Sequence, residues 1–129
     1  MPNLLCVSHE WSLGFNELRE LSNAGYYLIP AASGFDAIKQ FATREIDAVL
    51  VNRRLPDIEV DDLATYFRLH HEDLPIVMIS NSLPVPDAPA SVDAIIQKHH
   101  CSSLLVPTLQ VLLEQNSEPA FAEGMAEAA

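Results

Sequence analysis

Short runs of consecutive apolar residues alternate along this chain with stretches whose apolar residues recur at helical spacing, and that alternation constrains the fold most. Leu4-Leu5-Cys6-Val7 is one run, ended by the polar Ser8-His9-Glu10. Trp11, Phe15, Leu18 and Leu21 then follow a helical period, and Asn23-Ala24-Gly25 supplies a stop. Tyr26 to Ile29 reads as a second strand, and Ser33 as the N-cap of a helix carrying Ala37, Ile38 and Phe41 on one face. Ala48 to Val51 forms a third strand, followed by a helix outlined by Leu63, Tyr66, Phe67 and His70. Pro75 to Ile79 and Ala94 to Ile96 give two more strands, and a last helix carries Leu105, Leu109, Leu112 and Leu113. Strands that are apolar on both faces and are separated by helices must lie inside a parallel sheet covered on both sides. The pattern therefore predicts a five-stranded doubly wound α/β sheet, whose functional residues collect at the carboxyl ends of the strands.

With 129 residues, 49% of them hydrophobic, the chain suits one soluble domain with a single real core. A net charge of -11 with only seven Lys and Arg argues against a nucleic-acid surface, which needs clustered cations. No stretch is long or apolar enough to span a bilayer, and no signal-peptide pattern opens the sequence, so a cytoplasmic location is expected. Cys6 and Cys101 are the only cysteines. Cys6 lies within an apolar run and reads as a small buried hydrophobe, and the pair does not suggest a disulfide framework.

Two segments break the regular pattern. Pro84, Pro86 and Pro89 stand between Ser80 and Asp93; each fixes its φ and lacks an amide donor, so no more than about one helical turn is expected there. The sequence after Gln115 carries glutamates, no basic residue and no sustained apolar period, which predicts a folded domain over 1–115 and a disordered acidic tail over 116–129. Pro107, early in the last helix, implies a late start or a distorted first turn.

Taken strand by strand, Asn3 to Gln115 resembles the receiver domain of two-component response regulators. The most specific stretch is Asp47 to Asp57, with Asn52 at the end of the third strand and Leu55-Pro56 behind it. Ala24-Gly25-Tyr26, Ala32-Ser33-Gly34, Leu74 to Ser80 and Lys98 fit the surrounding pattern in order. The resemblance implies a flavodoxin-like sheet of order 2-1-3-4-5 with helices on both faces. From Ser80 to Lys98 the chain is about one turn shorter than the family pattern, so the fourth helix of that pattern should be shortened or absent.

In an intact family member an acidic pair after strand one and an aspartate ending strand three bind Mg²⁺, and the aspartate accepts a phosphoryl group. A Ser or Thr and a Lys hold the phosphoryl oxygens. Here Ser8 and His9 replace the acidic pair, leaving Glu10 as the only carboxylate beside them, and Asn52 stands at the acceptor position. Ser80 and Lys98 stay in register, while the aromatic switch position is Ile95, His99 follows the lysine, and Val60 replaces a loop glycine. A neutral amide is a very poor nucleophile, and Mg²⁺ requires hard oxygen ligands, commonly carboxylates. With Lys98, Arg53 and Arg54 retained, the site should be near neutral or positive without metal. The resemblance is thus to a pseudo-receiver, a phosphorylation-independent signalling and protein-interaction module that is stand-alone and not an enzyme.

Other constellations carry less. His9, His99, His100 and Cys101 could share a rim, yet no CxxC or HxxxH spacing joins them, so no metal and no cofactor are expected. Asp57, Glu59, Asp61 and Asp62 read as the acidic start of the third helix, complementing its dipole. Ser8 and Ser80 lack any nucleophile-elbow motif. Lys98 is either solvated or bonded to Asn52 or Ser80, a contact that would freeze the switch in one state. The expected partner is a signalling protein, with no nucleic acid and no membrane, and a homodimer stays open. A small-ligand or ion sensor using the vacated pocket around Ser8, His9, Asn52 and Lys98 is the alternative, and a working phosphorelay receiver ranks last.

Overall fold

The computed structural model describes residues 2–8, 15–80, 91–98 and 104–114. Five strands, β1 (Asn3–Val7), β2 (Tyr27–Ala31), β3 (Ala48–Asn52), β4 (Ile76–Ser80) and β5 (Ala94–Gln97), form one parallel sheet of order β2-β1-β3-β4-β5. Helices α1 (Phe15–Asn23), α2 (Gly34–Thr43) and α3 (Val60–His70) join the first four strands, and a further helix, α4, runs over 104–114 after β5. The doubly wound sheet is the one the apolar pattern predicted, and its order is the one the resemblance implied. Trp11, the 81–90 segment expected to hold a shortened or absent fourth helix, and the tail from Gln115 lie outside the described residues.

Strand alternation sorts the core into two layers. Leu5, Val7, Val49, Val51, Ile76 and Met78 face α2 and α3, where they pack against Ala37, Leu63 and Phe67. Leu4, Cys6, Ala48, Leu50, Val77 and Ile79 face the other way, against Leu21 of α1 and Leu105 and Leu109 of α4. Each fully buried Leu or Phe stabilises the fold by roughly 1.5–3 kcal/mol, so the two layers hold the central strands from both sides. Right-handed crossovers account for the split: strand order reverses between β2 and β3, which carries α1 to one face and α2 and α3 to the other. Cys6 is an inert part of this core, since desolvation pushes its thiol up to about 12.

Strand β2 runs two residues past the expected end, through Pro30. It is an edge strand, bonded to β1 on one side only: Tyr27 donates to Pro2 (2.8 Å), and Ala31 accepts from Ser8 (3.0 Å). Alternation turns the position of Pro30's missing amide to the free edge, where a ladder loses nothing and further strand addition is discouraged. Gly25 ends α1 with φ +99, the left-handed conformation that the sequence stop required.

The return to β5 is fastened by Arg68 of α3. Its guanidinium donates to the carbonyls of Ser91 (3.0 Å), Glu72 (3.1 Å) and Leu74 (2.9 Å) and pairs with Asp93 (2.6 Å). The same Asp93 oxygen accepts from the Ile76 amide (2.8 Å), and Ser91 Oγ donates to Asp61 (2.8 Å). The chain therefore enters β5 from a point fixed on α3. No helix among the described residues is long and apolar enough to cross a membrane.

Candidate functional site

The carboxyl ends of β1, β3, β4 and β5 bring the sequence-predicted positions to one rim. Val7 pairs with Val51, so Ser8, the next residue, stands beside Asn52. Asn52 pairs with Ile79, and Ser80 with Gln97, which puts Lys98 one residue beyond that pair. Neighbouring strands are about 4.8 Å apart, so Ser8 and Asn52 sit side by side across the sheet, and Ser80 lies one residue beyond the β4 position that pairs with Asn52. The Arg53 amide still donates to Ile79 (2.8 Å), holding the chain along β4 for one residue past Asn52 before it turns away.

Burial divides these residues. Ser80 is fully buried and Ser8 7% exposed, and they are the two buried polar residues of the described chain. Neither residue is without a partner, and among the described residues no buried side-chain oxygen or nitrogen lacks one. Asn52 and Arg53 are half-buried, and Arg54 and Lys98 are exposed. Among the described residues no hydrogen bond joins Lys98 to Asn52 or Ser80, so the contact that would freeze the switch through Lys98 is not found there. Ile95 pairs with Met78 and packs against the α2–α3 layer, an aliphatic side chain in place of a ring. His9, Glu10, His99, His100 and Cys101 lie outside the described residues. Among the residues described, no group of three or more His, Cys, Asp or Glu could hold a metal ion.

The acidic run after Asn52 does something other than the sequence suggested. Asp57 was expected to start α3, but its carboxylate reaches back to α2 and accepts from the amides of Gly34 (2.9 Å) and Phe35 (2.9 Å). Ser33 Oγ accepts from Asp36 (3.1 Å), and Asp36 in turn accepts from Ala32 (2.9 Å). The physical reason is that α2 presents free first-turn amides which the loop after β3 passes closely, and a carboxylate satisfies two of them at once. Desolvation is the largest single influence on Asp57 and raises its pKa. The bonds from Phe35, Gly34, its own amide and the Ser33 hydroxyl together outweigh that and hold the carboxyl below its ordinary value. At α3 the N-cap is Glu59, which makes no side-chain capping bond, while Asp61 and Asp62 sit in the first turn as expected. The Ser33–Asp36 pair was readable as a local capping signature. The reach of Asp57 over 22 and 23 residues, and of Arg68 over 25 to Asp93, had no local signal.

Solved structures share this fold. TrrA, a response regulator protein of Thermotoga maritima determined in complex with Mg(2+)-BeF, superposes with a TM-score of 0.75 at 23% identity, over 87% of this chain and 99% of that one. A CheY-like response regulator receiver domain protein from Methanospirillum hungatei JF-1 gives a TM-score of 0.76 at 20% identity, over 92% and 98%. The signal receiver domain of a putative Luxo repressor protein from Vibrio parahaemolyticus gives 0.80 at 15% identity, over 95% and 97%. The chain has the receiver fold. No family model and no curated protein matches the sequence.

Within the receiver fold the end of β3 faces the switch point, and in TrrA the complex contains Mg²⁺. The described donor set here does not fit that cation. Ser8 and Ser80 offer hydroxyls and Asn52 an amide, all neutral, whereas Mg²⁺ is held by carboxylates that offset its hydration. Asp57, the acid that follows Asn52 most closely in the loop, is committed to the α2 amides.

Proposed function

We propose that this chain is a phosphorylation-independent signalling module that acts through a protein-binding surface rather than by catalysis. The observation that carries the reading is Asn52 at the end of β3, flanked in register by Ser8 on one side and by the β4 strand end on the other. A phosphoryl acceptor at this place needs an anionic or activatable oxygen, and a neutral amide between hydroxyls supplies none. The receiver fold supports a signalling role, and the net charge of -11 favours a partner with a basic face over nucleic acid. A degenerate receiver of this kind has a cytoplasmic signalling protein as its natural partner, and self-association through the sheet's flanking helices is compatible with it.

Incubation of the purified chain with a small phosphodonor and Mg²⁺ tests the reading by intact mass. The mass should stay unchanged; a stable phospho-adduct would refute it.

A further inference from the structure

We infer that the loop between β3 and α3, residues 53–59, is a strap latched onto the start of α2 by Asp57 and Ile58, and that this latch, rather than residue 52, sets the loop's conformation. The inference deepens the proposed function and rests on it in one respect: a loop held by an internal latch presents a fixed surface with no phosphoryl group to position it.

The latch has a polar half and a steric half. In the polar half, Asp57 takes the Gly34 and Phe35 amides, one on each carboxylate oxygen, and Ser33 Oγ takes the Asp36 amide. The Ala37 amide then makes the first bond within the helix, to the Ser33 carbonyl (3.0 Å). Every amide of the first turn is thus satisfied, and the strap supplies two of the acceptors. The bonds are charge-assisted and lie at the positive end of the helix dipole. In the steric half, a Cβ on Gly34 would collide with Ile58 Cγ2, so Ile58 seats only because residue 34 has no side chain. Ile58 and Leu55 are themselves half-buried against the α2–α3 core layer.

These contacts hold the strap at both ends. At its start, the Arg53 amide is bonded to Ile79; at its finish, Val60 is buried as the first residue of α3. A shift at residue 52 can move the strap only by breaking both Asp57 bonds and lifting Ile58 from Gly34. The depressed pKa of Asp57 agrees with this, since its anion is what the latch holds.

Amide hydrogen exchange on the full chain, comparing wild type with Asp57→Ala and Asn52→Asp, tests the latch. In Asp57→Ala the Gly34, Phe35, Ile58 and Glu59 amides should exchange about five- to tenfold faster, as for loss of a helix N-cap. The β3 and β4 amides should keep wild-type rates, showing that the fold is intact. In Asn52→Asp all four loop and helix amides should exchange as in wild type. Unchanged Gly34 and Phe35 rates in Asp57→Ala would overturn the inference, as would acceleration in Asn52→Asp equal to that in Asp57→Ala. Should Asp57→Ala unfold, Ile58→Ala probes the steric half: faster exchange of the strap amides alone supports the latch, and wild-type rates overturn it. A phospho-adduct on the wild-type chain would sink the proposed function while leaving these exchange rates as they are, so the two failures are separable.

Discussion

Replacing Gly34 by alanine isolates the close approach between α2 and the β3–α3 loop. Gly34 is the first residue of α2 and its φ is not in the left-handed region, so alanine is allowed there by the backbone. On propensity alone the change should stabilise the protein by about 0.5–1 kcal/mol, through a less flexible unfolded chain. Against that, the new methyl would run into Ile58 Cγ2 and come within 3.2 Å of both Ile58 Cβ and Asp57 Oδ1. Ile58 is branched at Cβ and packed against the core, so relief requires the strap to shift, a rearrangement costing roughly 1–3 kcal/mol by comparison with overpacked sites. The net expectation is a destabilisation of about 1 kcal/mol, the difference of the mid-range values of those two contributions. With urea slopes of roughly 1–3 kcal/mol per molar for domains of this size, that is a midpoint lowered by about 1 M or somewhat less. In an Ile58→Ala background Cγ2 is gone, and the same Gly34→Ala change should become neutral or mildly stabilising. A double-mutant cycle by urea denaturation reads the coupling directly. Equal cost of Gly34→Ala in both backgrounds, or a stabilised single mutant, would refute the steric argument.

Asn52→Asp should not confer phosphorylation, because the neighbouring Ser8 offers a hydroxyl rather than a carboxylate to Mg²⁺ and the loop acid Asp57 is engaged elsewhere; intact mass after Mg²⁺ and a phosphodonor checks this, and efficient modification would contradict it. Arg68→Met removes the pair with Asp93 and three bonds to carbonyls. With both partners a quarter to a third exposed the ion pair adds little by itself, and the loss should be about 1–3 kcal/mol from the freed acceptors, read as a lower urea midpoint. Asp57 gives the stability a pH dependence of known sign: its folded pKa lies below the ordinary 3.8, so its contribution is complete above that value. It is lost as pH falls through the depressed folded value. Urea midpoints of wild type and Asp57→Asn should therefore converge as the solution is acidified through this range, and a gap that widens in acid would contradict the assignment.

The fold was legible because its signal is local and repeated. Continuous apolar runs such as Leu4 to Val7 and Ile76 to Ile79 can exist only where both faces of a strand are covered, and they are buried throughout. Strand ends were less legible: the second strand was expected to stop at Ile29, and only the edge position of β2 lets it run on through Pro30. The tertiary clasps were illegible. Asp57 belongs by sequence to an acidic run leading into α3, and nothing local distinguishes it from Asp61 or Asp62. What assigns it to α2 is the path of the strap, which depends on Gly34 lacking a side chain 23 residues earlier.

The candidate site obeys the same division between geometry and chemistry. Parallel register sets Ser8 beside Asn52 and leaves Ser80 one residue beyond the Ile79 that pairs with Asn52, and that placement is indifferent to what the side chains are. The rim is therefore a place set by the backbone, whatever groups occupy it. The groups present there are mutually consistent: a neutral amide at 52 makes no demand for cation ligands at position 8, and a hydroxyl at 8 leaves no excess negative charge for a metal to offset. Lys98 is exposed, as expected where no buried anion draws it inward. The loop that leaves this rim is then fixed from the far side, by Asp57 and Ile58 on α2, so its conformation no longer depends on the residue it follows. Under the function proposed above, a surface set by packing and capping rather than by a transferable group would recognise its partner continuously.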